Sequence, residues 1–403
     1  MPRSGSGEPG ADDRPLGVGL IGTRFMGRAH SNAWSSAAHF FDLRRAPRMI
    51  AVAGRDAGMA AAFATRWGWS RAVSQWRELL EDPAIELIDV ATPNALHAEQ
   101  SIAALESGRH VACEKPLAGT LEDARAMRDA ARAARRRGLR TFVWFNYRRC
   151  PAVAFARELV QKGRLGDLFH VRAAYLQEWG GPETPMSWRF DAAEAGSGAH
   201  GDLNAHIVDM ARFITDEEIV SIHGAIEHTF IVERRAAIGA APRRPAARPA
   251  RRRSTVDDCV LFLARLSGGA VASFEATRLA TGNQNRNRIE INGHRGSIIF
   301  DFERMNELLW WDATLPPGER GWSRIMCTVA GEHPWVEAYW PAAHVIGYEH
   351  GFVSEAADIA QSLAGDALRV PLPDFEDAWK TQCVLDAALR CARRRESVAV
   401  ALE

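Results

Sequence analysis

Residues 19–27 read GLIGTRFMG, and the fold of the N-terminal half follows from this stretch. The apolar run LGVGLIG (16–22) predicts a buried strand, and the following FMGRAHSNAWSSAAHF predicts a helix. A glycine turn between them matches the dinucleotide fingerprint G-x-G-x-x-G at Gly22 and Gly27. Arg24 stands at the middle position, where the backbone comes nearest to a pyrophosphate. We predict that the turn binds a dinucleotide and that Arg24 contacts phosphate; a glycine turn without a ligand is the alternative.

Apolar strands and helices alternate as far as residue 147. Thr120 and Asp123 predict the N-terminal cap of the last helix in this series. The later predicted strands are RMIAVAG (48–54), ELIDVATP (86–93), RHVACEKP (109–116) and LRTFVWFNY (139–147). This alternation indicates a parallel sheet covered on both faces, a doubly wound Rossmann unit over residues 14–146.

Residues 147–403 have a different pattern. Long segments such as DLFHVRAAYLQEW (167–179) alternate apolar and polar residues, which is typical of strands with one wet face. Helices are predicted at 200–214 and near 349–364 and 374–394. We therefore predict an α/β protein: a Rossmann domain followed by an α+β domain with a large, open, mostly antiparallel sheet.

Several classes of function are disfavoured by composition. The formal net charge is zero, which gives no bulk attraction to nucleic acid or to a membrane surface. No apolar run reaches the roughly 18 residues of a membrane span. Residues 1–13 predict a disordered leader, not a secretory signal. The arginine-rich segment 234–255 lacks interleaved aromatic residues and predicts a mobile surface loop. The six scattered cysteines predict free thiols in a reducing cytoplasm.

Arginine supplies nearly all the positive charge. Lys115, Lys162 and Lys380 are the only lysines among 50 basic residues. Arginine keeps its proton in proteins, whereas lysine can release it. Lys115 lies in CEKP at a predicted strand end facing the cofactor crevice, so we predict a chemical role for it; a solvated charge pair with Glu114 is the alternative.

The second strand ends in AGRD (53–56), without a carboxylate at the strand end itself. Arg55 can accept the 2′-phosphate of NADP, and Asp56 can still reach the ribose of NAD, so both cofactors stay open. The third and fourth strands end at the same crevice. The predicted cofactor-binding residues are Gly22, Arg24, Phe25, Met26, Gly27, Arg55, Thr92, Asn94, His97, Glu114 and Lys115.

A second constellation is HGDLNAHIVD. Asp202 and His206 are four residues apart on a predicted helix, so they share one face. A carboxylate and an imidazole together can remove a proton from a hydroxyl; a structural histidine paired with a carboxylate is the alternative. His200 suggests a metal, but no further ligand spacing supports one, and we predict none.

From about residue 14 to the end, the chain resembles the Gfo/Idh/MocA oxidoreductase family. The segments that carry this resemblance are, in order, GLIGTRFMGRAH, ATPNALHAE, HVACEKPLA, FNYRRCPAV and GSGAHGDLNAHIVDMARF. YLQEW, SWRF and GYE are similar to its sugar-oxidising branch. The resemblance implies hydride transfer between NAD or NADP and a secondary alcohol of a sugar or cyclitol. It also implies a homo-oligomer formed through the C-terminal sheet. Lys115 occupies the place of the catalytic lysine, with Asp202 and His206 as its partners.

We therefore predict that His206 is the general base, that Asp202 orients it, and that Lys115 stabilises the developing alkoxide or relays the proton. For Trp188, a predicted substrate contact, the alternative is a core aromatic residue. Two further functions stay open: recycling of a tightly bound nicotinamide between two sugars, and a cofactor-binding regulator without turnover. The predicted contacts to a small sugar-like substrate are Asn146, Tyr147, Gln177, Trp188, Arg189 and His206.

Overall fold

The computed structural model describes residues 13–236 and 250–403. The predicted leader, apart from its last residue, lies outside these ranges, and so do residues 237–249 of the predicted mobile loop. All six cysteines are free thiols, as predicted. Within the described ranges, no helix combines the length and apolar character that crossing a bilayer requires.

The N-terminal half contains a parallel sheet of six strands in the order β3-β2-β1-β4-β5-β6. Its strands are β1 (Leu16–Ile21), β2 (Pro47–Ala53), β3 (Arg71–Val73), β4 (Leu87–Val90), β5 (His110–Cys113) and β6 (Thr141–Val143). Its helices are α1 (Phe25–Phe40), α2 (Ala57–Trp67), α3 (Glu78–Glu81), α4 (His97–Glu106) and α5 (Leu121–Arg135). The predicted Rossmann architecture is confirmed.

Local chemistry places these elements. Strands β1 and β4 are buried along their whole length, as apolar strands covered on both faces must be. Thr120 is the N-cap of helix α5, and its hydroxyl accepts a hydrogen bond from the Asp123 amide. Because all six strands run parallel, their carboxyl ends meet along one edge of the sheet.

The last strand of this sheet is shorter than predicted. The sequence suggests a strand over 139–147, but β6 ends at Val143 and a 3₁₀ turn follows at Asn146–Arg149. Residues 141–150 are all buried, so hydrophobicity alone marks no end to the strand. The chain turns where the Arg148 guanidinium is drawn inward to the buried Asp209 carboxylate.

The second half forms a nine-stranded sheet in the order β16-β15-β14-β13-β7-β12-β11-β8-β17. Adjacent strands are antiparallel except for the parallel pair β7 and β12. The strands are β7 (Leu168–Leu176), β8 (Ile219–His228), β11 (Cys259–Leu266), β12 (Val271–Thr277), β13 (Arg286–Gly293), β14 (Gly296–Asp301), β15 (Glu307–Asp312), β16 (Trp322–Met326) and β17 (Val398–Ala399). The helices are α6 (Pro151–Gln161), α7 (Ala192–Ala195), α8 (Ala205–Thr215), α9 (Val336–Tyr339), α10 (Tyr348–Leu363) and α11 (Phe375–Arg394). This mixed, mostly antiparallel sheet confirms the predicted second fold.

One face of this sheet is covered and the other is open. Along β11, Val260 and Phe262 are buried, whereas Leu261 and Leu263 are exposed. Helix α11 packs on β8 and α8 packs on β7, which covers the inner face. Helix α10 packs instead against α1 of the N-terminal half.

The prediction of a mobile loop over residues 234–255 is wrong at the two ends of this segment. These ends pair as the antiparallel strands β9 (Glu233–Arg235) and β10 (Arg251–Arg253). Arg234 is fully buried. Its guanidinium lies 3.1 Å from the Asp258 carboxylate and 3.6 Å from the centroid of the Phe190 ring. An ion pair and an aromatic face therefore hold an arginine that the composition places in solvent.

Candidate active site

A cleft of about 1820 Å³ lies between the two sheets, at the carboxyl ends of the parallel strands. Doubly wound folds bind ligands at this edge. Two predicted site residues, Gly27 and His97, do not line the cleft. The others all do: Gly22, Arg24, Phe25, Met26, Arg55, Thr92, Asn94, Glu114, Lys115, Asn146, Tyr147, Gln177, Trp188, Arg189, Asp202 and His206.

The glycine turn is tightly packed. Gly22 has φ +123°, and a Cβ there would lie 2.4 Å from the carbonyl oxygen of Ala91. A Cβ on Gly27 would lie 2.2 Å from the carbonyl oxygen of Gly22, so Gly27 acts beneath the cleft and not in its wall. Both glycines are required by close backbone approach, as the fingerprint predicts.

Arg24 does not disrupt this turn. Its φ of −91° and ψ of −152° are extended backbone that any residue adopts. It is the N-cap of α1, no side chain caps the first amides, and the first turn has no acidic residue. The helix therefore presents free N–H groups and a positive dipole end to the cleft, which fits an anionic pyrophosphate.

The end of β2 presents Arg55 to the cleft, where its side chain is exposed. The Asp56 carboxylate accepts a hydrogen bond of 2.8 Å from the Met59 amide and so caps α2. The carboxylate nearest the predicted ribose site is therefore engaged in a helix cap.

Strand β4 leads into Thr92 and Asn94, which both line the cleft. The Asn94 amide donates a hydrogen bond of 2.9 Å to the carbonyl oxygen of Ala195, which joins the two halves. His97, predicted as a cofactor contact, is fully buried instead. Its ring nitrogens lie 3.1 and 3.0 Å from the carbonyl oxygens of Pro116 and Thr92. The prediction for His97 is wrong because these carbonyls hold the ring behind the cleft wall.

Glu114 belongs to a buried network that the sequence did not reveal. One of its oxygens lies 3.0 Å from His30 Nε2, and the other accepts from the Lys115 amide. On its other side, His30 Nδ1 lies 3.0 Å from Asp89 Oδ1. Burial alone would lower the pKa of His30, but the two carboxylates raise it to about 10. His30 is therefore an imidazolium fixed between two carboxylates behind the catalytic wall.

We expect His30→Gln to lower the free energy of unfolding at neutral pH by about 3 kcal/mol, because it leaves two buried carboxylates without their cation. The raised pKa means that this stabilisation is full below pH 6.5 and is lost as the pH rises through about 10. Thermal unfolding midpoints at neutral and alkaline pH test this. The matched control is His39→Gln, an exposed histidine in the same helix. An equal loss of stability with rising pH in wild type and His30→Gln would contradict the assignment.

Lys115, at the end of β5, is held by Asp202. The Lys115 Nζ atom lies 2.9 Å from Asp202 Oδ1 and 2.9 Å from its carbonyl oxygen. Asp202 Oδ2 accepts a hydrogen bond of 2.8 Å from Arg278 Nη2. Burial opposes ionisation of Asp202, but Lys115 and Arg278 hold its pKa well below its ordinary value. The carboxylate is therefore shared between two cations.

Asp202 does not orient His206, contrary to the prediction. Both of its oxygens are taken by Lys115 and Arg278, and no described residue bonds to the His206 ring. The predicted single helix over 200–214 begins as a π-helical turn at His200–Asn204 and continues as α8. Such wide turns are frequent at functional sites. Burial, and then the Lys115 charge, keep the pKa of His206 well below 6.5. A neutral imidazole therefore faces the cleft.

His200 is a core residue. It is 1% exposed, and its Nε2 atom lies 2.9 Å from the carbonyl oxygen of Leu385. Its Nδ1 atom faces the Asn204 amide. Over residues 13–236 and 250–403, no group of three or more His, Cys, Asp or Glu side chains is arranged to hold a metal ion.

The predicted substrate residues form part of a polar wall. The hydroxyl groups of Tyr147 and Tyr175 lie 2.6 Å apart, and Tyr175 donates to Asn285 Oδ1 at 2.7 Å. Gln177 Nε2 donates to the same oxygen, and Trp179 Nε1 donates to Gln177 Oε1. Across the cleft, the half-buried Trp188 stacks under the Arg189 guanidinium at 4.5 Å, so it is not a core aromatic residue.

Only some residues of this polar wall can be identified from the sequence pattern. Tyr175, Gln177 and Trp179 alternate along β7 and just beyond it, so period-two spacing places all three on one face. Asn285 and Arg278 come from segments far along the chain, and nothing in their local sequence marks them.

Comparison with known proteins gives a consistent result. The model described as "Oxidoreductase family, NAD-binding Rossmann fold" matches residues 16–143, and the GFO/IDH/MocA C-terminal domain matches residues 153–299. Levoglucosan dehydrogenase of Pseudarthrobacter phenanthrenivorans is 39% identical, over 96% of this chain and 98% of its own length. A 1,5-anhydro-D-fructose reductase of Ensifer adhaerens is 33% identical, over 62% and 67%.

Solved structures agree. An oxidoreductase domain protein from Kribbella flavida superposes with a TM-score of 0.90 at 47% identity, covering 96% of this chain and 100% of that one. Levoglucosan dehydrogenase in complex with NADH and levoglucosan superposes with a TM-score of 0.87 at 38% identity, covering 96% and 99%.

Proposed function

The chain belongs to the Gfo/Idh/MocA family of oxidoreductases and has its NAD-binding Rossmann domain, and from this premise we propose that it oxidises a secondary ring hydroxyl of a sugar, anhydrosugar, glycoside or cyclitol to a ketone, or runs the reverse reaction. The observation that carries the proposal is the Lys115–Asp202 ion pair, which faces the same cleft as the neutral His206. The names of two relatives, levoglucosan dehydrogenase and 1,5-anhydro-D-fructose reductase, support a sugar as substrate.

In this proposal, residues 14–146 hold the cofactor and residues 147–403 hold the sugar. The Gly22–Gly27 turn and the free amides of α1 would hold the pyrophosphate, with the Arg24 side chain beside it. When bound, the nicotinamide cofactor supplies the hydride acceptor. The tight glycine turn and the uncapped helix start are the features that fit it.

Lys115 is placed to stabilise the substrate oxygen. An ammonium group has three N–H donors, and Asp202 takes two of them. The third is left for the hydroxyl that becomes the ketone, where a fixed positive charge stabilises a developing alkoxide. Asp202 therefore holds Lys115 in place.

His206 accepts the hydroxyl proton. Its low pKa leaves the ring neutral, and a neutral ring nitrogen can take a proton at neutral pH. The carbinol carbon loses a hydride, with its electron pair, to the cofactor, and the oxygen loses its proton to His206, so the alcohol becomes a ketone. The wall of Tyr147, Tyr175 and Gln177 offers polar groups to the remaining hydroxyls.

Cofactor choice is a separate proposal. Asp56 Oδ1 is engaged as a helix cap, and the exposed Arg55 lines the cleft, where its guanidinium can meet a 2′-phosphate. We therefore propose that the enzyme accepts both NAD and NADP.

The decisive experiment assays pyranoses, anhydrosugars, glycosides and cyclitols separately with NAD and with NADP. Reduction of the nicotinamide by at least one neutral sugar supports the proposal. Cofactor binding without oxidation of any compound would overturn it and favour a regulator without turnover. Purified protein that already carries reduced nicotinamide would favour recycling between two sugars.

The open face of the second sheet supports a homo-oligomer. Ile226, Leu261, Leu263 and Val271 lie on three adjacent strands and are 66, 37, 56 and 45% exposed. A sheet face with this much apolar surface is typical of an interface. Sedimentation that detects only the 44.4 kDa monomer would contradict this proposal.

A further inference from the structure

Arg278 is a charged residue of the cleft to which neither the sequence nor the proposed mechanism gives a role. It follows directly on β12 and is only 2% exposed, yet it lines the cleft. Its guanidinium lies 5.0 Å from the centroid of the Trp179 ring. Burying a guanidinium is costly unless it is paired and hydrogen-bonded.

The hydrogen bonds of Arg278 converge on the residues around Asp202. Its Nη2 atom donates to Asp202 Oδ2 at 2.8 Å and to the carbonyl oxygen of Gly198 at 3.0 Å. Its Nη1 atom donates to the carbonyl oxygen of Arg189 at 3.3 Å. One planar group thus fixes Asp202 and both ends of the segment that carries Arg189 and Gly198.

We propose that Arg278 is a positioning residue for the reaction: it holds Asp202 by Oδ2, so that Oδ1 and the carbonyl oxygen of Asp202 fix Lys115 Nζ in the cleft. The proposal rests on the function proposed above and adds a residue to it. Without Arg278, the Asp202 carboxylate could rotate, and Lys115 would lose its fixed position.

Arg278 and Lys115 also share the negative charge of the Asp202 carboxylate. Arginine keeps its proton, so Asp202 always faces a second cation besides Lys115. Removing that cation leaves the full carboxylate charge to Lys115, which would then hold its proton more tightly. The other charged or titratable groups around this pair are the same in every variant: Glu114, Tyr175, Arg189, His206 and Tyr348.

A purely structural role is the competing explanation, and the chain contains a matched control for it. Arg234 is also buried, packs on Phe190, and donates to the carbonyl oxygens of Gly180 and Gly181. It pairs with Asp258, and it does not line the cleft. Arg234→Gln removes a buried guanidinium from the same neighbourhood without touching Asp202.

The test reads Lys115 directly. Acetylation of Lys115 by acetic anhydride is followed by mass spectrometry across a pH series, with no cofactor or sugar present. Lys162, whose side chain is 65% exposed, is the internal reference. We expect Arg278→Gln to move the pH of half-maximal acetylation of Lys115 upward by about one unit. Arg234→Gln should leave it unchanged.

Turnover supplies the second readout. We expect kcat of Arg278→Gln to fall about 10- to 100-fold, with KM for the sugar nearly constant, because positioning is lost and binding is kept. Arg278→Lys keeps the charge but not the planar fork. Its acetylation profile should match the wild type, and its kcat should still fall about tenfold.

Acetylation profiles that coincide in wild type and Arg278→Gln would overturn the proposal, as would an equal shift in Arg234→Gln. If Arg278→Gln does not fold, Arg278→Lys decides: wild-type kcat in that variant would overturn the proposal. Acetylation needs no substrate, so its result stands even if no sugar is oxidised, and the two proposals fail separately.

Discussion

Lys115→Ala is expected to lower kcat about 10³-fold while cofactor affinity stays within about twofold of the wild type. The ammonium is the only fixed positive charge that the proposed mechanism places at the substrate oxygen, and water in its place cannot be held by Asp202 in the same way. Steady-state kinetics gives kcat, and quenching of intrinsic tryptophan fluorescence gives the cofactor dissociation constant. Both are measured on the same preparation.

The composition supplies the control for Lys115→Ala. Lys162 follows directly on α6, its side chain is 65% exposed, and its one ion pair among the described residues is with Glu158. Lys162→Ala should therefore keep kcat. Near-normal turnover in Lys115→Ala, on a substrate that the wild type oxidises, would remove Lys115 from the mechanism.

Gly22→Ala is expected to weaken cofactor binding at least about 100-fold and to cost about 2–4 kcal/mol of stability. The new Cβ would lie 2.4 Å from the Ala91 carbonyl oxygen, and alanine rarely adopts a φ of +123°. The turn and the end of β4 would have to separate, which moves the helix start that faces the pyrophosphate. Titration calorimetry with the cofactor and thermal unfolding measure the two effects.

Gly68→Ala separates packing from backbone strain. Gly68 also has a positive φ, +79°, but a Cβ there meets nothing within 4 Å. We expect this change at the end of α2 to cost only about 1 kcal/mol and to leave cofactor binding intact. If the two variants bind cofactor equally well, close packing at Gly22 is not what shapes the site.

The fold could be predicted because its strongest signals are local. Glycine positions, buried strands and the Thr120 cap are each set by a few neighbouring residues. The order of strands and helices in the N-terminal half could therefore be predicted from the sequence. The ends of strands are harder to predict, since Phe142–Phe145 are apolar on both sides of the point where β6 ends. The chain turns where Arg148 pairs with the distant Asp209 and Asp377, and the local sequence does not show these pairs.

The site was predictable where its residues lie at strand ends or share a helix face. Lys115, Asp202 and His206 were located in this way, and all three line one cleft. The pairing of Lys115 with Asp202 was predicted, but two partners from distant parts of the chain were not. Arg278 bonds to Asp202, which the sequence pattern paired with His206, and His30 bonds to Glu114 on the side away from the cleft. Such pairs join positions far apart in the chain, which periodicity cannot detect.

The packing of α10 on α1 has a consequence for the order in which the chain can fold during synthesis. Trp34 of α1 and Trp144 share a buried cluster with Phe352 and Ala356 of α10. The Arg44 guanidinium bonds to the carbonyl oxygen of Ala364, 320 residues later. On the ribosome, the Rossmann half is complete as a sequence long before the helix that covers its tryptophans has been made. Until then its core remains open on that side, so the Rossmann half is completed only when α10 has been made.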